Sequence, residues 1–158
     1  MFQSSRHVKA LAHTDVLKRF AANDAMHGAI VTRVVILTRD MVARSERVAG
    51  KAITFKDDMT ISGRVKDVAS LITFFRDALC HIESDRNMAS DLIYVSLNVV
   101  FGKGIAANIG GFKMARDYAD DVAFFVGRQR LYLHRHLLRA YGEAVENLTK
   151  FLDEAAST

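Results

Sequence analysis

No proline occurs anywhere in the 158 residues of this chain. Proline ends helices because it lacks an N–H and its ring clashes with the preceding turn. Without it, long uninterrupted helices are expected, and their ends must be set by caps and glycines. The length suits one domain over residues 1–158, burying roughly 70% of the surface its unfolded chain exposes. The 50% apolar and 25% charged fractions exclude a disordered polymer. A single cysteine, Cys80, excludes an internal disulfide and a cysteine-rich zinc site, and it fits a reducing, cytoplasmic setting. The longest strongly aliphatic run, Val34-Val35-Ile36-Leu37, is far short of a membrane span. Arg6 and Lys9 are not followed by a signal-type apolar stretch, so no membrane association is expected.

Apolar spacing predicts the helices. Residues 14–48 read as helix, with Thr14 as cap, Asn23-Asp24 as a break point and Gly50 as the stop. Met26, Ile30, Val34, Leu37 and Met41 mark its buried stripe. After a polar stretch at 51–61, Ser62 is the expected cap of the strongest helix. There Val65, Val68, Ile72, Phe75, Leu79 and Ile82 recur at intervals of three and four. A last helix is predicted over about 131–154 on Leu131, His134, Leu138, Tyr141, Val145, Leu148 and Leu152, with His134 a hydrogen-bonded core histidine. Residues 93–101 are rich in β-branched and aromatic types. Gly102-Lys103-Gly104 supplies turn chemistry, which predicts a small β-hairpin within 93–112; Val122–Val126 reads as a further strand ending at Gly127. The fold class expected from this pattern is mainly α, a compact helical bundle with a small β-hairpin insertion around 93–112.

The net charge is +4, from 22 basic and 18 acidic residues, and residues 1–50 hold 8 basic against 4 acidic. Arg128, Arg130, Arg135 and Arg139, with His134 and His136, form an acid-free run over 122–142. Such a run reads as a solvated helix face or as a surface that draws the RNA backbone. No His, Cys, Asp or Glu set has metal-ligand spacing, and no Glu-x-x-His occurs, so no metal and no cofactor are expected. Gly102-Lys103-Gly104 lacks the rest of a phosphate-binding loop.

Arg76-Asp77-Ala78-Leu79-Cys80-His81 falls at the end of the strongest predicted helix. Asp77 and His81, four apart, share a helix face, so the carboxylate is placed to accept the imidazole N–H and fix its tautomer. Arg76 offers a planar, permanent cation for phosphate. A guanidinium and an imidazole suffice for RNA cleavage without metal: one stabilises the phosphorane-like transition state, the other moves the proton. Spacing alone does not select this pair. Composition predicts about 1.6 Arg-to-His pairs with four to six residues between, and four occur: Arg6/His13, Arg76/His81, Arg128/His134 and Arg130/His136. Context selects it, through the acid directly after Arg76, the Phe74-Phe75 pair directly before it and the amphipathic helix that it ends.

The run Leu71–Glu83 resembles the signature of HEPN domains (higher eukaryotes and prokaryotes nucleotide-binding). There an Arg, a polar residue, three further residues and a His close one helix of a helical bundle. The resemblance covers about a dozen residues. It implies a metal-independent endoribonuclease of toxin–antitoxin or phage-defence type, active as a homodimer whose two motifs face one cleft. Carried over, Arg76 and His81 would be catalytic and Asp77 supporting. Arg128, Arg130 and Arg135, from the basic run over 122–142, are assigned to the RNA backbone on charge. Expected partners are a second copy, RNA or a nucleotide, and an antitoxin protein. The alternative is a catalytically silent helical module that binds a nucleotide or protein through the same surface.

Overall fold

A computed structural model describes residues 25–81, 85–90, 93–109 and 111–157. Expectations for Thr14, the Asn23-Asp24 break, the Met26 side chain and Ile82 lie outside that set.

Helix α1 spans Ala25–Ala49. Its buried residues, His27, Val31, Val34, Val35, Thr38, Met41, Val42 and Ser45, repeat with helical period and form one stripe. Gly50, at φ +64°, ends it in the left-handed conformation that favours glycine. Helix α2 spans Val68–Cys80, later than the sequence predicts. Asp67, not Ser62, is its cap. The Asp67 carboxylate accepts the Ser70 N–H at 2.8 Å, and the Ser70 hydroxyl accepts the Asp67 N–H at 3.0 Å. Ser62 instead closes the turn that leads in, its hydroxyl accepting the Val65 N–H at 3.2 Å. Val65 is fully buried but stands outside the helix.

A short 3₁₀ turn, Asp85–Asn87, leads into β1 (Met88–Ser90), which pairs antiparallel with β2 (Ile93–Tyr94). Strands β3 (Asn98–Phe101), β4 (Gly104–Ile109), β5 (Phe112–Arg116), β6 (Val122–Val126) and β7 (Gln129–Tyr132) follow. A π-helical segment, Leu133–Leu138, then feeds α3, Arg139–Ala156.

The expected mainly-α bundle is therefore corrected to a mixed α/β fold. Of the described residues, 51% are helical and 23% lie in three small antiparallel sheets, too much strand for an insertion. The expected hairpin partners also change. Strands β3 and β4 flank the Gly102-Lys103 turn but do not pair with each other. Strand β3 pairs with β6 (Val99 opposite Phe124), and β4 pairs with β5 (Ile109 opposite Phe112). The cause is burial. All five residues of β6 are buried, so it needs a partner on each edge and cover on each face. It takes β3 and β7 as edge partners, giving the order β3-β6-β7.

The two faces of β6 build two cores. Val122, Phe124 and Val126 point to the helices and join Val35, Leu71, Ile72, Phe75, Leu137 and Leu148. Ala123 and Phe125 point the other way and join Ala89, Val95, Met114 and Tyr132, with Phe112 packing edge-on against Phe125 at 6.3 Å. The sheet thus lies between a helical layer and the β4–β5 hairpin. A polar link ties the helices: Asn147 Nδ2 donates to Ser45 Oγ at 3.0 Å, and Ser45 Oγ donates to the Lys51 carbonyl at 2.7 Å.

Gly127 opens the β6–β7 turn at φ +54° and donates its N–H to the Val95 carbonyl at 2.8 Å. A Cβ there would collide with the Arg86 carbonyl oxygen. Gly127→Ala is expected to cost about 3 kcal/mol, combining left-handed strain with a backbone clash. Urea unfolding will show it as a lowered midpoint.

Candidate functional site

The α2 terminus carries the predicted motif. Helix α2 ends at Cys80, and His81 has left helical geometry at φ −128°, ψ 88°, its N–H still donated to the Asp77 carbonyl at 3.0 Å. Arg76, Cys80 and His81 are all exposed. Asp77 and His81 are not brought together. The Asp77 carboxylate instead lies between two guanidinium groups, Arg76 at 3.0 Å and Arg86 at 3.1 Å. The four-residue spacing fails because the helix stops one residue before the imidazole, while the following 3₁₀ turn delivers a permanent cation. The His81 imidazole makes no ion pair or hydrogen bond to any described residue. Its main-chain oxygen accepts from Asn87 Nδ2 at 3.4 Å, which fixes the chain end against the next turn. Beside α2 lies a cavity of about 460 Å³ lined by Arg64, Ser70, Thr73, Phe74, Asp77 and Arg86. Arg64 pairs with Asp85 at 2.8 Å. The motif edge is thus a shallow, arginine-rich rim of the helical layer.

The residues assigned to the RNA backbone separate. Arg128 sits exposed in the β6–β7 turn and makes no ion pair with a described residue. Arg130 is committed to the fold: Nη1 donates to the Ala115 carbonyl at 2.7 Å and pairs with Asp117 at 2.9 Å, and its guanidinium covers the Tyr132 ring at 4.8 Å. Arg135 pairs with Asp121 at 3.1 Å and Asp120 at 3.2 Å and stacks 3.5 Å above the Tyr118 ring. The acid-free run is therefore no uniform solvated face. Its cations draw acids from the 117–121 loop, just outside the window that looked acid-free.

Asp121 is the polar centre missed in the sequence. Its side chain is fully buried. Oδ1 accepts the N–H of Val122 at 2.7 Å and of His134 at 2.9 Å, and Oδ2 accepts the N–H of Arg135 at 3.1 Å. His134 Nδ1 also reaches Oδ1, at 3.1 Å. Burial by itself would raise the Asp121 pKa, but these backbone donors and Arg135 outweigh it and hold the carboxyl below its ordinary value. The first turn of a helix leaves its N–H groups without partners, and a carboxylate that collects them acts as a cap from a distance. The signal in the sequence is the Asp120-Asp121 pair directly preceding an apolar strand.

His134 and His136 exchange the expected places. The His134 side chain is half exposed, whereas His136 is fully buried. The π-helical turn winds wider than 3.6 residues, so a phase extrapolated back from α3 is wrong across it. His136 is held as a neutral imidazole: Nδ1 accepts the Tyr132 N–H at 3.0 Å and Nε2 donates to the Asp57 carbonyl at 2.9 Å. Desolvation pushes its pKa below the ordinary histidine value.

Among the described residues no group of three or more His, Cys, Asp or Glu is placed to hold a metal ion. No helix among them is long and apolar enough to cross a membrane. Comparison with protein-family models, curated proteins and solved structures returns no match.

Two measurements check this description. Asp121→Ala leaves buried N–H groups and Arg135 without their acceptor, and is expected to cost about 3 kcal/mol or more in chemical denaturation. His136 takes up its proton more readily in the unfolded chain than in the native one. Its contribution is full above the ordinary value of 6.5 and is lost as pH falls through the lower native pKa. His136→Gln is expected to flatten the fall in melting temperature below pH 6.5.

Proposed function

We propose that this chain is a metal-independent endoribonuclease of toxin–antitoxin or phage-defence type, working at a cleft shared by two copies. The observation that carries the reading is the exposure of Arg76 and His81 together at the end of α2, with the imidazole engaged by no acid among the described residues. A histidine serving only to end a helix would be expected to cap or pair there. Arg76 is positioned by Asp77, which holds its guanidinium at the surface as a preformed phosphate anchor. Asp77 therefore acts on the arginine rather than on the histidine.

In this reading one His81 removes the proton of a ribose 2′-OH. The 2′-oxygen attacks the adjoining phosphorus, and the bond to the 5′-oxygen breaks. The second copy's His81, protonated beforehand, gives its proton to that leaving oxygen. The products are a 2′,3′-cyclic phosphate and a 5′-hydroxyl, with no metal needed. Arg76 stabilises the charge that develops on the phosphorane oxygens. Arg128, the one assigned arginine not used internally, contributes attraction to the RNA backbone. An arrangement made from two copies supplies both the base and the acid, which one exposed imidazole cannot supply at once.

One observation favours a second reading, a catalytically silent nucleotide- or protein-binding module, with an antitoxin as the protein case. Asp77 is spent between Arg76 and Arg86, and no other carboxylate among the described residues is placed to fix the His81 tautomer.

The test is cleavage of single-stranded RNA in the presence of EDTA. The wild type is expected to leave cyclic-phosphate ends. His81→Ala and Arg76→Ala are each expected to lower the rate about a hundredfold or more with an unchanged circular dichroism spectrum. Wild-type cleavage by His81→Ala overturns the nuclease reading. Absence of cleavage, combined with stabilisation by a nucleotide, selects the binding module.

A further inference from the structure

Arg116 is 2% exposed, and no carboxylate among the described residues pairs with it. Its Nη1 donates to two backbone carbonyls, Val100 at 3.1 Å and Asp121 at 2.6 Å. Its Nε and Nη2 have no partner. A buried cation with two orphaned N–H groups is costly, and burial holds its pKa below the usual arginine value. Nε and Nη2 together form the side edge of the guanidinium. That edge presents two parallel N–H groups at the spacing of two oxygens on one carboxylate or phosphate.

Arg116 lines a cavity of about 390 Å³ at the β3–β4 turn, with Phe101, Gly102, Asp120, Asp121 and His134 around it. We propose that this cavity binds the oxyanion group of a small molecule, a phosphate or a carboxylate, through Nε and Nη2 of Arg116 and Nε2 of His134.

Four features support the assignment. First, neither neighbouring acid satisfies Arg116. Asp121 spends its oxygens on backbone N–H groups, His134 and Arg135, and Asp120 pairs with Arg135 at 3.2 Å. Second, Nδ1 of His134 donates to Asp121 at 3.1 Å, which leaves Nε2, on a side chain that is half exposed, to donate to the oxyanion from the imidazolium or to accept from a protonated ligand oxygen on the neutral ring. Third, Gly102, which lines the same cavity at φ +79°, sets no side chain against the buried Nη2; a Cβ at that position would lie 3.5 Å from it. Fourth, the volume exceeds that of a bare ion and falls in the range of small-molecule sites. Phe101, 38% exposed on the rim, offers an apolar wall to the remainder of such a ligand. The site stands apart from the α2 motif and does not rest on the nuclease reading.

The test is titration calorimetry at constant ionic strength with inorganic phosphate, acetate and AMP as probes. Saturable binding of at least one is expected. Preference for phosphate and AMP over acetate assigns a phosphate-bearing ligand, and the reverse assigns a carboxylate. Arg116→Met is expected to weaken binding about tenfold or more, the loss of a charge-assisted hydrogen-bond pair. Should Arg116→Met not fold, Gly102→Ala is the second probe. It covers Nη2 while leaving the two carbonyl bonds of Arg116 in place, and it is expected to weaken binding similarly. Failure of all three probes to bind the wild type overturns the proposal. So does wild-type affinity in a folded Arg116→Met or Gly102→Ala.

Discussion

The Asp121 carboxylate, buried at the start of β6, is where the sheet, the 117–121 loop and the last helix are joined. It accepts one N–H from its own strand and two from the first turn of the π-helical segment, and it draws Arg135 down onto the same loop. Its carbonyl meanwhile receives Arg116 from the end of β5. A single acid thus fixes where α3 begins relative to the sheet. Replacing so many donors by water would require opening the core around β6, so the arrangement is stable only as a whole.

Around that junction the molecule is layered by the two-sided burial of β6. Its alternate residues divide between the helical core and the hairpin core, so each layer depends on the same five-residue strand. His136 serves the same boundary from the helical side. It joins the end of β7 to the 57–58 turn through both ring nitrogens, and it does so only as a neutral ring. The two candidate surfaces occupy opposite situations. The α2 terminus is an exposed rim whose cations are positioned by Asp77 and Asp85. The β3–β4 cavity has a buried cation that no acid among the described residues satisfies. Exposed charges act on large, solvated polyanions through long-range attraction, whereas a dry guanidinium edge discriminates by geometry.

Much of the helical layer was legible. The stripe of α1, its stop at Gly50, the body of α2 and the strand before Gly127 all follow from periodicity and glycine placement. These are local properties, fixed by residues within a few turns of each other. The start of α2 was misplaced because Ser62 and Asp67 are both good caps by type. Only the latter has Ser70 three residues on to return the hydrogen bond. The seam over 131–154 misled because its register was extrapolated through a strand and a wide helical turn. The Asp77–His81 pair was expected from spacing alone, and one residue of helix length removed it.

The amino-acid order by itself determined where apolar stripes and turns occur, that an arginine and a histidine close α2, and that cations cluster over 128–139. Only the tertiary structure decided which strand pairs with which, which histidine is buried, and which arginines remain available to a ligand. Strand pairing and ion pairing are long-range choices, set by which faces must be covered and which carboxylates come within reach. Arg116 is the plainest case. In sequence it is one of 14 arginines, and nothing local distinguishes it. Folding places it under Gly102 with two N–H groups unmatched, because β3, β5 and the 117–121 loop converge there.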